Sequence, residues 1–348
     1  MPPINFGRRY IRLKGLIKLR IDARSLVVTA VLLGATLVIA CFGLMIGTLR
    51  LSVHEVFAAL SGDAAKMTRT IVVEWRLPRV LAAMIFGAGL AVSGSIFQSL
   101  TRNPLGSPDI IGFTSGSYTG ALIAMLIAGS TSFIGIAAGA LIGGLATAVL
   151  IYLLAFRKGT QGFRLIIVGV ATSTILSSVN SVLLLRSKAE VALTAAAWGV
   201  GSLNGISWAQ SIPAMVAVVV LLLIAAVMAR PLRAMELGED AAKAHGIRSE
   251  RTRLVLILIA VVLTAAPTAV MGPVSFVALA APQIALRFTK SAQSLAPVAA
   301  MGAFLMLGAD LVAQRIVPGT IFPVGVVTLS LGGLYLVGVL FRQARSSS

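Results

Sequence analysis

Val80-Leu81-Ala82-Ala83-Met84-Ile85-Phe86-Gly87-Ala88-Gly89-Leu90-Ala91-Val92-Ser93-Gly94-Ser95-Ile96-Phe97-Gln98-Ser99-Leu100 runs for 21 residues without a charged side chain. At about 1.5 Å of rise per helical residue, such a run crosses the roughly 30 Å hydrocarbon layer of a bilayer. Arg76 and Arg79 flank it on one side and Arg102 on the other, where charged ends meet the two membrane surfaces. The rest of the chain repeats the design. Its 348 residues are 58% hydrophobic and 11% charged, too apolar for one water-soluble core. Candidate spans fall at 26–49, 80–100, 109–128, 133–156, 164–185, 209–229, 254–271, 274–289, 296–316 and 324–341. The eighth is short, follows Gly272-Pro273 and contains Pro282, so it reads as a broken or tilted helix. The expected fold class is an all-α polytopic membrane protein of about ten transmembrane helices.

The formal net charge of +18 is read first against topology, because basic residues favour short cytoplasmic segments. Ten crossings with the N-terminus inside put most of the 29 Lys and Arg on the cytoplasmic side, with both termini cytoplasmic. The expected organisation is a basic cytoplasmic segment 1–25 carrying Arg8, Arg9, Arg12 and Lys14, a single transmembrane domain 26–341 with a charged inner loop 230–253, and a cytoplasmic tail 342–348. Charges spent as membrane anchors, Arg157 and Lys158 among them, leave no case for nucleic acid. A lone Cys41 excludes an intrachain disulfide, and with only His54 and His245 beside it no metal site is expected. There is no G-x-x-x-x-G-K-[ST] loop to cradle ATP phosphates and no nucleophile–base pair within the spans, so chemistry is not the expected role.

Three stretches outside the spans carry local signals. Ser52-Val53-His54-Glu55 is a capping-box pattern that predicts a short helix ending near Gly62. The stretch 186–208 holds Trp198 and Trp208, expected as interface anchors. In 230–253, Glu239 and Asp240 suit a helix N-terminus, Glu239 and Lys243 pair at i,i+4 and Gly246 is a stop, so a short helix over Glu236–Gly246 is predicted outside the bilayer.

Within the spans, Gly112-Gly116-Gly120 and Gly135-Gly139-Gly143 repeat at four-residue spacing, which predicts close helix packing. Span five concentrates Thr172, Ser173, Thr174, Ser177, Ser178, Asn180 and Ser181; helix packing and a water-filled cavity both remain open for this strip. Asp310, with Gln314 and Arg315 a turn later, is expected to be a buried structural ion pair.

At Arg76-Leu77-Pro78-Arg79, Gly87-Ala88-Gly89-Leu90-Ala91-Val92-Ser93-Gly94, Gln98 and Arg102-Asn103-Pro104-Leu105-Gly106-Ser107-Pro108, the sequence resembles the FecCD family of ABC-importer permeases. The match recurs at Glu236-Leu237-Gly238-Glu239, His245-Gly246-Ile247, Gly272-Pro273-Val274-Ser275-Phe276-Val277, Ala309-Asp310 and Pro323-Val324-Gly325-Val326-Val327-Thr328. Within the family, Glu74 to Arg79, Ser95 to Leu100 and Gly201-Ser202-Leu203-Asn204-Gly205 look most like the G subunits of ferric-enterobactin permeases.

The resemblance implies a permease of the bacterial inner membrane that moves a ferric siderophore, here a catecholate of enterobactin type, from periplasm to cytoplasm by alternating access. It implies a second, homologous permease subunit in a heterodimer, two ATPase subunits and a periplasmic or surface-anchored siderophore-binding protein. No cofactor would bind to this chain, ATP and Mg being used by the ATPase and iron arriving as cargo. By resemblance, Glu236, Leu237, Gly238, Glu239, Asp240, Ala241, Ala244 and Gly246 couple to the ATPase, and Arg76, Arg79 and Arg315 receive acidic residues of the binding protein. It also places span five beside the path, making Ser173, Ser177, Asn180 and Ser181, with Thr328 of span ten, the expected path residues. Gln314 stands where the family carries a further arginine, and Gln283 where Pro-His is common. The competing expectation is an ion-coupled secondary transporter, for which Asp310 is the acid placed within a span.

Overall fold

A computed structural model describes residues 10–13, 19–47, 49–155, 162–236, 238–244, 246–290, 294–316 and 322–346. Arg8, Arg9, Lys14, Arg157, Lys158 and Leu237 lie outside the described residues. The protein is all-α through its membrane part, as expected; ahead of the first helix two short strands, β1 (Tyr10–Leu13) and β2 (Leu19–Asp22), pair antiparallel, with Tyr10 opposite Asp22. Each strand alternates apolar and polar residues, the period of a strand rather than of a helix. Asp22 then caps α1 (Ala23–Met45), accepting from the Arg24 backbone N–H at 3.4 Å and from Ser25 Oγ at 3.3 Å.

After α1 come α2 (Val53–Ser61) and α3 (Lys66–Arg69), followed by a π-helical stretch Thr70–Arg76 that runs straight into α4 (Leu77–Thr101). The capping box is present as read: Ser52 N–H donates to Glu55 Oε2 at 2.7 Å, Glu55 N–H donates to Ser52 Oγ at 3.2 Å, and Gly62 ends the helix at φ +94°. Next come α5 (Phe113–Leu122) with a π-helical end at Ile123–Ile127, α6 (Phe133–Ala155), α7 (Gly162–Leu185), α8 (Ala189–Trp198) and α9 (Trp208–Val227). The charged loop holds α10 (Ala229–Glu236) and α11 (Glu239–Ala244), and the chain closes with α12 (Ser249–Met271), α13 (Val277–Thr289), α14 (Leu295–Ala313) and α15 (Val324–Ser346).

All ten candidate spans are helical. Among the described residues seven helices are long and apolar enough to cross a membrane, while Phe113–Ile127, Val277–Thr289 and Val324–Tyr335 are shorter apolar helices. The third begins at Phe113 rather than at 109, because Pro108 and Gly112, at φ +92°, hold the chain in turns. The eighth is the broken segment expected of it: α13 is 13 residues long, about 20 Å at the helical rise. Taking the side of the charged loop as inner, as the charge distribution assigns, α4 is the axis of the molecule and is buried along most of its length. By contrast α1 exposes most of its apolar surface, the arrangement of a helix solvated by lipid.

Small residues decide how closely the helices meet. Gly116 and Gly120 face Gly139 and Gly143: a Cβ on Gly116 would lie 2.9 Å from the Gly143 carbonyl oxygen, and one on Gly120 3.0 Å from Gly143 Cα, whereas Gly112 meets Gly169 and Ser173 of α7. These four glycines therefore form the α5–α6 seam. The tryptophans of 186–208 are engaged in packing within the protein, beyond the anchoring role expected of them. Trp198 stacks on Tyr118 at 6.1 Å between ring centroids, and Trp208 Nε1 donates to the Val73 carbonyl at 2.8 Å. Half-buried indoles of this kind gain from a hydrogen-bond partner or a ring to face.

Candidate functional site

At the outer end of α4, Arg79 turns inward. Its Nε donates to Asp310 Oδ2 at 2.9 Å and its Nη2 to Oδ1 at 2.8 Å, a two-point pair with a carboxylate only 1% exposed. Gln314 Nε2 adds a third donor to Oδ2 at 2.8 Å. Asp310 is the buried structural ion pair that was expected, but its cation comes from α4 and not from the following turn of its own helix. A neutral donor at Gln314 completes the carboxylate's hydrogen bonds without burying a second cation, which accounts physically for the departure from arginine there. Arg79, expected to receive an acidic residue of a binding protein, is within this chain already paired with Asp310.

Arg76, one turn earlier, donates through Nη1 to the Leu44 carbonyl and through Nη2 to the Leu49 carbonyl, both at 2.6 Å. Leu44 lies in the last turn of α1, whose carbonyls have no partner within the helix and attract a cation. Arg315 is exposed and close enough to Arg76 for the two like charges to repel. Of the three arginines, Arg315 is the one the fold leaves open.

The polar strip of α7 divides between two faces. Thr172 and Asn180 are buried and Ser173 is half-buried, its Oγ 2.8 Å from Ser115 Oγ on α5. Thr174, Ser177, Ser178 and Ser181 are exposed at i, i+3, i+4, i+7 spacing, one continuous polar stripe on the outside of the chain. Ile175, Val179 and Val182 form the apolar part of the same exposed surface. The four expected path residues therefore separate, Ser173 and Asn180 inward and Ser177 and Ser181 outward. Thr328 is buried, and its hydroxyl donates to the Gly325 carbonyl of its own helix at 3.1 Å. Asn180 Oδ1 is the one buried side-chain oxygen without a hydrogen-bond partner among the described residues. We expect Ser177→Cys and Ser181→Cys to react with a small hydrophilic thiol reagent while Val182→Cys, on the apolar part, stays inert. Equal labelling of all three would mean the exposed surface is not divided between water and lipid.

At the inner end, the single helix predicted over Glu236–Gly246 is two, separated by Gly238 at φ +125° and closed by Gly246 at φ +76°. Pro231 stays in the first turn of α10, where its missing N–H costs nothing, so the helix starts earlier than expected. Leu232 and Met235 bury the apolar side of α10 against the core. Glu236 accepts from Ser99 Oγ at 2.8 Å, and Lys243, Ala244 and Gly246 are exposed. Burial pushes the Glu236 carboxyl above the usual glutamate range, opposed by the Ser99 hydroxyl and the Arg233 charge.

Sequence reasoning missed the groups that fasten α13. Gln98 Nε2 donates to the Leu279 carbonyl at 3.1 Å and its Oε1 accepts from Gln283 Nε2 at 2.7 Å. Asp109 accepts from the Phe276 N–H at the start of α13 at 3.3 Å and from Thr114 Oγ1 at 2.8 Å, and Arg24 Nε donates to the Phe288 carbonyl near its end at 2.7 Å. An anion at the N-terminus and a cation at the C-terminus oppose the helix dipole of this short element. The polar residue at 98, in a run otherwise free of amides, was the available signal.

Comparisons with known proteins agree with this architecture. A family model described as the FecCD transport family matches residues 27–342. The chain is 48% identical over 325 residues to the ferric enterobactin transport system permease protein FepG of Escherichia coli K12, covering 93% of this chain and 98% of that protein. It is 33% identical over 283 residues to the hemin transport system permease protein HmuU of Yersinia pestis, covering 78% and 84%. Among solved structures, a metal-chelate-type ABC transporter in an inward-facing conformation superposes with a TM-score of 0.80 at 29% identity, covering 91% of this chain and 99% of that one.

Proposed function

Because the chain belongs to the FecCD transport family, we infer that it is the membrane-spanning permease subunit of an ATP-binding-cassette importer for a ferric catecholate siderophore of enterobactin type. The observation that carries the reading is the 48% identity to FepG along 98% of that protein's length. The subunit is a multi-pass protein of the inner (cytoplasmic) membrane and works with other ABC-transporter subunits. In this reading those are a second, homologous permease, two ATPases that use ATP and Mg, and a siderophore-binding protein outside; the chain itself binds no cofactor and hydrolyses nothing.

A ferric catecholate is large, anionic and rigid, so a cavity between two subunits suits it better than a preformed filter. The exposed Thr174–Ser177–Ser178–Ser181 stripe supports such a cavity, since these hydroxyl oxygens keep acceptor capacity that water can meet and lipid cannot, even where the proton is donated to the helix's own carbonyl. ATP binding drives the alternation only if the two arrangements are contacted differently, because a ligand equally tight in both shifts nothing. The exposed residues of α10 and α11 and the loop to Gly246 offer the surface for that contact. The ion-coupled alternative loses its foothold at Asp310, whose charge Arg79 already neutralises.

Spheroplasts, which bypass the outer membrane, provide the test. Deleting the gene is expected to abolish uptake of radiolabelled ferric enterobactin, and uptake in the intact strain is expected to survive collapse of proton and sodium gradients while ATP is maintained. Uptake that persists in the deletion strain, or that vanishes with the gradients despite ATP, overturns the reading.

A further inference from the structure

Ser99 lies in the last turn of α4, and its Oγ is 2.8 Å from Glu236 Oε1 at the end of α10, joining residues 137 apart in sequence. Around this bond α10 is seated by buried Leu232 and Met235, and Arg102 Nη2 reaches the Met235 carbonyl at 3.4 Å. The same turn of α4 holds α13 through Gln98 and Leu279. Two turns further out Ser93 Oγ donates to the Ala260 carbonyl of α12 at 2.6 Å, and at the outer end Arg79 grips Asp310 of α14. From Ser99 to Arg79 the helix spans about 30 Å. It is therefore fastened to the inner loop at one end, to the outer mouth at the other, and to α12 and α13 between them.

Ser99 supplies the hydroxyl that meets the half-buried Glu236 carboxylate. The hydroxyl is also 2.9 Å from the Ser95 carbonyl, the back-bond a serine makes within any helix. Its single proton can point to the carbonyl or to the carboxylate, and the carboxylate is the stronger acceptor. A buried backbone carbonyl keeps its own helical partner when the hydroxyl turns away, whereas the carboxylate loses a charge-assisted bond.

We propose that Ser99 is a positioning residue that joins the inner loop at Glu236 to α4, so that loop and core move as one body and a push on the loop reaches the Arg79–Asp310 pair at the outer mouth. This rests on the permease reading, in which the loop is where an ATPase acts.

The test uses the complete transporter, with its ATPases, second permease and binding protein, in proteoliposomes. Alanine is favourable within a helix, so Ser99→Ala keeps the fold. It is expected to leave ATPase co-purification and basal hydrolysis unchanged while lowering siderophore uptake per ATP about tenfold, the worth of a hydrogen bond to a charged group. Ser99→Thr, which retains the hydroxyl, is expected to recover most of the uptake. In a cysteine-free transporter, Ser99→Cys combined with Glu236→Cys is expected to be poorly coupled until a short thiol crosslinker joins the pair, and then to transport. Wild-type coupling in Ser99→Ala overturns the proposal. So does arrest of transport by the crosslink, which would mean that the two elements separate during the cycle. Failure of the permease reading itself looks different: the unmodified protein would neither co-purify with an ATPase nor depend on ATP.

Discussion

Asp310→Ala is expected to cost about 3–5 kcal/mol of stability and to remove most of the protein from the membrane fraction, because it leaves the buried Arg79 guanidinium with no counter-charge. Arg79 is only 14% exposed and aims two donors at that carboxylate. Arg79→Glu is expected to be as damaging, since it sets two carboxylates and the Gln314 amide in one small site. Replacing both partners by apolar residues of similar size, Arg79→Met with Asp310→Leu, is expected to restore accumulation, because the desolvation cost disappears with the charges. Membrane-fraction abundance and the thermal midpoint in detergent are the measurements. Single variants that accumulate and melt like the unmodified protein would show that the pair is not a structural element. Arg315→Glu is the contrast: at an exposed position it is expected to leave abundance unchanged and to weaken association with the binding protein in a salt-dependent way.

The second large effect is expected at Gly272. Its φ of +76° and ψ of 177° lie in a region essentially reserved for glycine, where a side chain costs about 1–3 kcal/mol. A Cβ there would also run into the Trp198 carbonyl and come within 3.2 Å of Gly201 Cα. Three chain breaks meet at this point: Ser202 N–H donates to the Met271 carbonyl at 2.6 Å, and Gly325 N–H donates to the Gly201 carbonyl at 3.1 Å. Gly272→Ala therefore strains the residue and pushes apart the starts of α13 and α15 together. A clear fall in thermal midpoint and in transport is expected, whereas Gly333→Ala, with open space at its Cβ, is expected to be near neutral. Equal melting of the two variants would refute the account of the junction.

Features set by neighbours along the chain were legible from the residues alone. The spans follow from apolar run length, the Ser52–Glu55 box from a three-residue spacing, and close packing of α5 and α6 from two glycine stripes at the period of a helix face, though not which helix each stripe meets. The broken eighth span was visible in Gly272-Pro273 and Pro282. Span five was legible as a polar helix but not as a divided one. The hydroxyls of Thr172, Thr174, Ser178 and Ser181 all donate to carbonyls of their own helix, whether they turn inward or outward, so nothing in the spacing separates the two faces.

The remainder depends on groups far apart in sequence. Arg79 and Asp310 are separated by 231 positions, Ser99 and Glu236 by 137, Gln98 and Gln283 by 185. Each residue announced a polar group that would need a partner, and none announced which. Run length and helical period are properties of a local backbone and are written in adjacent residues. The partner of a buried charge or amide is chosen by how helices stack, where low polarity makes an unmatched group expensive. Sequence therefore determined that this is a helical, polytopic membrane protein, and tertiary packing decided which of its charges are spent inside the fold and which are left for other subunits.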